Sequence, residues 1–444
     1  MPLTQERDNL ARQYADWLGP IPDPVPLEMR VLSKRFICAS YVKDYEEWKV
    51  EYAVEGPGTM PEPSGRTVPA YLLIPKHKDQ KPPFPAMICY HQCGIDCAMG
   101  KDSVVGRFPE RPDQAYGYEL VQQGFVVLAP EAMCCGERQM PWLQPPGAYG
   151  PNVRHECWWM AQQFEIGPVR DRFGRSWQNK IVTDGLRAVD LLQSLDFVDP
   201  HRIGVVGHSL GGHVALATMA YDTRVKAGIV SGSIGSKGIR KPQLAAVAPR
   251  LLMRLHGTYD KVEPGLSPKE THDFVRPFYE DAGVPQNLVL RTPPCGHVFL
   301  DDFKREAYTR LKHHFGIGVK TEPLLFEDTL PEAQIDRIAD IDSGPSGKHR
   351  VIANRESLAY AVRLLCAACN AKLPPGQKPK GHVEASGEHV KFIVTVPKEH
   401  THVETPTDHL IRRVRHLLFE ISASYTTEPL PHGTAHIITL EAQR

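Results

Sequence analysis

Beyond residue 84 the sequence repeats one theme, a short uninterrupted apolar run followed by a stretch with helical spacing. The runs are PAMICYH (85–91), FVVLAPE (125–131), RIGVVGHS (202–209), AGIVSG (227–232), RLLMRLHG (250–257) and NLVLRTP (287–293). Runs this short, with no polar alternation, suit strands covered on both faces. Between and after them, QAYGYELVQQG (114–124), TDGLRAVDLLQSLD (183–196), GGHVALATMAYD (211–222), KETHDFVRPFYEDAG (269–283) and FKREAYTRLKHHFG (303–316) carry helical periodicity. The alternation predicts an α/β fold: a doubly wound, mostly parallel sheet with right-handed crossovers and helices on both faces. Upstream, RFICASYV, EEWKVEYAV and TVPAYLLIP predict an antiparallel start to the sheet, with the turn-rich EGPGTMPEPSG ahead of the third strand.

At 444 residues the chain exceeds one ordinary core, and two domains are expected. The acidic, turn-rich segment that begins near residue 320 marks the boundary. Residues 1–319 then form the larger domain, with an extension over 1–64 whose first residues, MPLTQERDNLARQYADWLG, read as an amphipathic helix. Residues 320–444 form an accessory α+β domain. It reads as a strand (349–354), a helix (355–373), a strand pair (381–397), a helix (407–425) and a last strand (434–441). The stretch 137–178 is too long for a connection and carries Trp142, Trp158, Trp159, Phe164 and Trp177. It reads either as a cap over a binding site, with Trp158 and Trp159 touching the ligand, or as a surface excursion packed by its own aromatics.

Lys plus Arg and Asp plus Glu number 52 each, so net charge gives no pull toward nucleic acid or an anionic membrane. No run of about 18 apolar residues suggests a membrane span, and no secretory signal opens the sequence, so a cytoplasmic location is expected. The ten cysteines are scattered, several in apolar runs, and are expected as thiols.

The most informative segment is RIGVVGHSLGG. A buried strand runs into Gly207-His208-Ser209-Leu210-Gly211, and a helix follows at once. This is the G-x-S-x-G turn that exposes a serine hydroxyl at a strand end, with glycines where side chains would collide. A serine needs a base, and the base needs an orienting carboxylate. Asp260 follows the strand RLLMRLHG and His297 follows NLVLRTP, giving the order Ser, Asp, His. His256 reads as structural, His208 and His213 flank the serine but point elsewhere, and Asp301 and Asp302 fall after the base. Oxyanion donors are expected from the Leu210 N–H and from the loop after PAMICYH, where the Cys93 N–H is the first choice and Gln92 the next. His91 is a candidate substrate contact. A metal cluster of His91, Cys93 and Cys97 lacks a second ligand pair, so neither metal nor cofactor is expected. Cys366 and Cys369 read as helix core.

Taken in order, YHQCG before a GKD segment, GFVVLAPEAMCCGER, VDPHRIGVVGHSLGG, HGTYDKVEP and CGHVF resemble α/β-hydrolases of the dienelactone hydrolase type. That group includes acetyl xylan esterase-like and prolyl oligopeptidase-related enzymes, and the resemblance covers about residues 65–317. It implies ester hydrolysis through an acyl-enzyme, with Ser209, Asp260 and His297 as the triad. Dienelactone hydrolases themselves use cysteine, so Ser209 shifts the expectation to small acyl esters, acetyl esters among them. An amidase or peptidase with the same triad and a catalytically silent binding module are the rival readings. Too few residues precede PAMICYH for the propeller that such peptidases carry. The C-terminal segment is faintly similar to the ATP-binding fold of histidine kinases. Ala368 stands where a metal-binding Asn belongs and no DxGxG box follows, so ATP binding is not expected. The expected partner is a small ester, with the C-terminal domain as a homo-oligomer contact or a wall of the substrate entrance.

Overall fold

The computed structural model describes residues 2–39, 42–56, 65–77, 80–93, 99–108, 112–133, 135–138, 176–233, 235, 238–260 and 267–318. Beyond these it describes the backbone strands 340–342, 380–386, 389–397, 423–430 and 433–441. By contacts the chain divides into two compact units. One comprises Met1–His256, Val262–Thr292 and Val298–Glu322, and the other Gly257–Lys261, Pro293–His297 and Pro323–Arg444.

The first unit opens with helix α1 (Leu3–Leu18), which buries Tyr14 and Leu18 and ends where Gly19 takes a positive φ. Strands β1 (Arg30–Ala39), β2 (Val42–Ala53) and β3 (Thr67–Pro75) pair antiparallel in sequence. Then come β4 (Phe84–Tyr90), the short α2 (Lys101–Val104), α3 (Tyr116–Gln122) and β5 (Val126–Pro130). They are followed by α4 (Trp177–Gln193), β6 (Val198–His208), α5 (Leu210–Tyr221), β7 (Val225–Ser231) and α6 (Arg240–Val247). Strand β8 (Leu251–Leu255), α7 (Pro268–Asp281), β9 (Leu288–Arg291) and α8 (Asp301–His314) complete the unit. The sheet order is β1-β2-β3-β5-β4-β6-β7-β8-β9. Pairing is antiparallel as far as β3–β5 and parallel from β5 onward, so the expected antiparallel start and parallel body are both present.

Every residue of β4, β5 and β8 is buried, which is why their sequences lack alternation. Helix α5 is apolar nearly all round and is buried along most of its length, as a helix enclosed by sheet and neighbouring helices must be. A Val, Leu or Ile side chain fully buried in this way contributes about 1.5–3 kcal/mol.

Several elements differ from the sequence expectation, among them helix α2 and the strand Asp340–Asp342, where no element was expected. Helix α4 starts at Trp177, capped by the Ser176 side chain accepting from the Asn179 N–H, so Trp177 belongs to a buried helix rather than to the aromatic excursion. The short α6 had no strong periodic signal and was not anticipated. In the second unit, strands β10 (Asp340–Asp342), β11 (Lys380–Ser386), β12 (His389–Pro397), β13 (Ala423–Leu430) and β14 (Gly433–Glu441) form one sheet ordered β10-β11-β12-β14-β13. Residues 423–425, expected at a helix end, are in β13, paired antiparallel with β14. Strands β11, β12 and β14 lie where strands were expected. Among the described residues, no helix is long and apolar enough to cross a membrane.

Candidate active site

Ser209 sits between β6 and α5 with φ 56° and ψ −120°, a conformation that side-chain-bearing residues rarely adopt. Its own N–H donates to Ser231 O at 2.8 Å, and its carbonyl accepts from the His213 N–H at 3.0 Å, so the strained residue is pinned on both sides. The turn closes only because glycines line it. A Cβ on Gly207 would lie 2.2 Å from the Gly211 carbonyl group, and one on Gly211 would lie 2.0 Å from Tyr90 O. The second contact packs the start of α5 directly on the loop that leaves β4. Leu210 is the first residue of α5, where a backbone N–H has no partner within the helix.

Because the obstacle to Gly211→Ala is main chain rather than a flexible side chain, the loop after β4 must retreat. That variant is expected to lose about 2 kcal/mol of stability and to lower kcat at least tenfold. Thermal unfolding and steady-state kinetics check the pair of effects.

The two residues expected as acid and base, Asp260 and His297, lie together in the second unit. His297 Nδ1 lies 2.7 Å from Asp260 Oδ2, with the Asp260 side chain 1% exposed and that of His297 20%. Their loops follow β8 and β9 and are laced by the Thr258 N–H donating to Pro293 O at 2.9 Å and the Tyr259 N–H to Cys295 O at 3.1 Å. Asp260 N–H closes a turn on Gly257 O at 3.1 Å. A carboxylate can only accept, so in this contact the His297 proton sits on Nδ1.

The competing residues are occupied elsewhere. His208 Nδ1 is 2.9 Å from Ser231 Oγ and its ring stacks on Phe299. His213 is half-buried, stacks on Trp177, and places Nε2 2.9 Å from Gln178 Oε1; desolvation lowers its pKa to about 4 and keeps it neutral. The His256 ring is buried, and its N–H extends β8 by donating to Arg291 O at 3.0 Å. Asp301 pairs with Lys304 at 2.9 Å and Asp302 with Arg305.

Cys93 is half-buried, while Cys97, Trp158, Trp159, Cys366, Ala368 and Cys369 lie outside the described residues. Among the described residues no group of three His, Cys, Asp or Glu side chains is placed to hold a metal ion. The expected substrate contact His91 has to be corrected. Its side chain is wholly buried and turned to the Ala132 N–H (2.9 Å) and the Glu131 carboxylate (3.1 Å), so it lies behind the loop instead of facing a ligand.

Sequence reasoning missed Glu131. Its carboxylate is 2.7 Å from Lys101 Nζ and accepts from the Lys101 N–H at 3.0 Å, with all these groups buried. Only an acid closing an apolar strand, LAPE, hinted at it. Burial alone would raise its pKa, but hydrogen bonds and charge from His91 and Lys101 hold it down at about 2, against 4.5 ordinarily. A depressed folded value contributes stability that is complete above about pH 4.5 and is lost as pH falls toward 2, by about 3 kcal/mol in all. Urea unfolding of wild type and Glu131→Gln should therefore show a gap at pH 7 that narrows below pH 4.5. A pH-independent gap would mean that shape, not charge, makes the difference.

The sequence model described as the alpha/beta hydrolase family matches residues 115–315. The YtaP protein of Bacillus subtilis (strain 168), whose name carries the word hydrolase, is 26% identical over 215 residues, covering 48% of this chain and 60% of its own length. Among solved structures, a glucuronoyl esterase from Solibacter usitatus superposes with a TM-score of 0.50 at 16% identity, over 70% of this chain and 93% of that one. Acetyl xylan esterase 1 from Thermoanaerobacterium sp. JW/SL YS485 gives 0.40 at 15%, over 70% and 99%. With a serine elbow between a parallel strand and a buried helix, and the family's model matched across that elbow, this chain has the α/β-hydrolase fold.

Proposed function

We propose that this chain hydrolyses carboxylic esters of small acyl groups through an acyl-enzyme on Ser209. The observation that carries the reading is the 2.7 Å His297–Asp260 pair, borne on the loops after β8 and β9, in a chain whose β6 ends in a strained serine elbow. Ser209 Oγ attacks the ester carbonyl carbon as His297 Nε2 takes its proton, and Asp260 steadies the resulting imidazolium. The carbonyl oxygen becomes an oxyanion held by the N–H groups of Leu210 and Cys93. On collapse the C–O bond to the alcohol breaks and His297 returns the proton to the leaving oxygen. Water, deprotonated by the same Nε2, then attacks the acyl-enzyme, releasing the acid and restoring Ser209. The esterase names of the fold relatives support an ester over an amide, and a Ser209 nucleophile suits acyl esters.

The test is turnover of p-nitrophenyl esters from acetate to octanoate, alongside acetylated sugars, a methyl glucuronate and peptide anilides. The same preparation is labelled with a fluorophosphonate and the label mapped by mass spectrometry. Short-chain esters should be cleaved fastest and the label should sit on Ser209. Anilide cleavage exceeding ester cleavage, or a label elsewhere, overturns the reading.

A further inference from the structure

Residues 91–93 have no helix or strand pairing of their own, yet one of the proposed oxyanion donors, the Cys93 N–H, must point in one direction before substrate arrives. The groups that fix that direction lie behind the loop. His91 Nδ1 is 2.9 Å from Gln92 O. A carbonyl oxygen only accepts, so Nδ1 carries a proton and donates it. Nε2 lies 2.9 Å from the Ala132 N, a donor, and 3.1 Å from Glu131 Oε1, an acceptor. A neutral ring accepts from Ala132 and a cationic ring donates to Glu131. In either state Nδ1 keeps its proton and its hold on Gln92 O.

Gln92 C=O and Cys93 N–H are the two ends of one planar trans peptide and point in opposite directions. Drawing the carbonyl back toward the His91 ring therefore turns the Cys93 N–H to the other side of the loop. The ring itself is anchored. Glu131 is held by Lys101 through both Nζ and backbone N–H, and the Arg138 guanidinium donates to the Glu131 main-chain oxygen at 3.0 Å. The preceding carbonyl, Tyr90 O, accepts from the Tyr116 hydroxyl and packs on Gly211.

We infer that His91, anchored by Glu131, is a positioning residue that aims the Cys93 N–H at the oxyanion; this rests on the esterase reading above. The discriminating experiment contrasts two variants of the full chain. An Asn side chain places an amide near the Nδ1 position and can still reach Gln92 O, whereas a Gln side chain reaches the Nε2 position and cannot replace the Nδ1 donor to Gln92 O. His91→Asn should keep kcat within a few-fold of wild type. His91→Gln and His91→Ala should lower it by about 10- to 100-fold, with KM changed less than threefold. Inhibition by a trifluoromethyl ketone, which forms the same oxyanion, should weaken by the factor by which kcat falls. Thermal unfolding confirms that the variants are folded, and the Asn and Gln forms keep the contrast available should the Ala form not fold. Equal kcat in the Asn and Gln forms, a loss confined to KM, or unchanged ketone inhibition overturns the positioning role alone. A wild-type chain without Ser209-dependent ester turnover overturns it together with the reading it rests on.

Discussion

Replacing Ser209 with alanine is expected to lower kcat for an activated ester by about 10⁴-fold or more, because the missing oxygen is the atom that bonds to the acyl carbon. The fold should survive, since no cap or core contact depends on the hydroxyl and the backbone pins at Ser209 N and O remain. Stability adds a second, independent expectation. At φ 56° and ψ −120° any side chain with a Cβ is strained by about 1–3 kcal/mol, and alanine keeps that strain. Glycine relieves it, at some cost in unfolded-chain entropy. Ser209→Gly should therefore be as inactive as Ser209→Ala but more resistant to heat. Matched kinetics and calorimetry on the two variants decide this. An alanine variant with more than a hundredth of wild-type turnover would remove Ser209 from the mechanism.

The parts of the site that were legible in the sequence are those fixed by local rules. Gly207 and Gly211 flank Ser209 because main chain crowds both positions, and a strand-turn-helix of this kind leaves a short motif. The contact between Asp260 and His297 could be anticipated because each follows an apolar run at its carboxyl end. What escaped depends on contacts between distant segments. Glu131 and Lys101 are 30 positions apart and meet only when β5 and α2 are in place, so neither stood out from the other charged residues. His91 adjoins the loop expected to supply an oxyanion donor, and only the fold shows its ring facing inward. Trp177 looked like part of an aromatic loop, yet the Ser176 cap and the stacking on His213 put it in α4. The ISASY segment continues an apolar helical pattern, and pairing with β14 overrides that preference for residues 423–425.

Asp260→Asn separates the roles of charge and geometry in the base. The wild-type carboxylate accepts from Nδ1 at 2.7 Å, so the base lone pair resides on Nε2. An asparagine of nearly the same shape can turn its amide nitrogen toward Nδ1. That nitrogen only donates, so the imidazole must accept at Nδ1 and carry its proton on Nε2, where it can no longer take one from Ser209. The imidazolium of the transition state also loses its counter-charge in a site where Asp260 is 1% exposed. Together these should lower kcat at neutral pH by about 10³- to 10⁴-fold with KM little changed, since neither atom is expected to touch bound ester. Fluorophosphonate labelling of Ser209 should slow in parallel, because it needs the same proton transfer. Asp260→Ala lacks the wrongly placed donor and leaves the ring free to choose its tautomer, so it should retain more activity per folded molecule than Asp260→Asn. Near-wild-type turnover in Asp260→Asn, measured on protein with an unchanged unfolding temperature, would show that His297 does not draw its tautomer from Asp260.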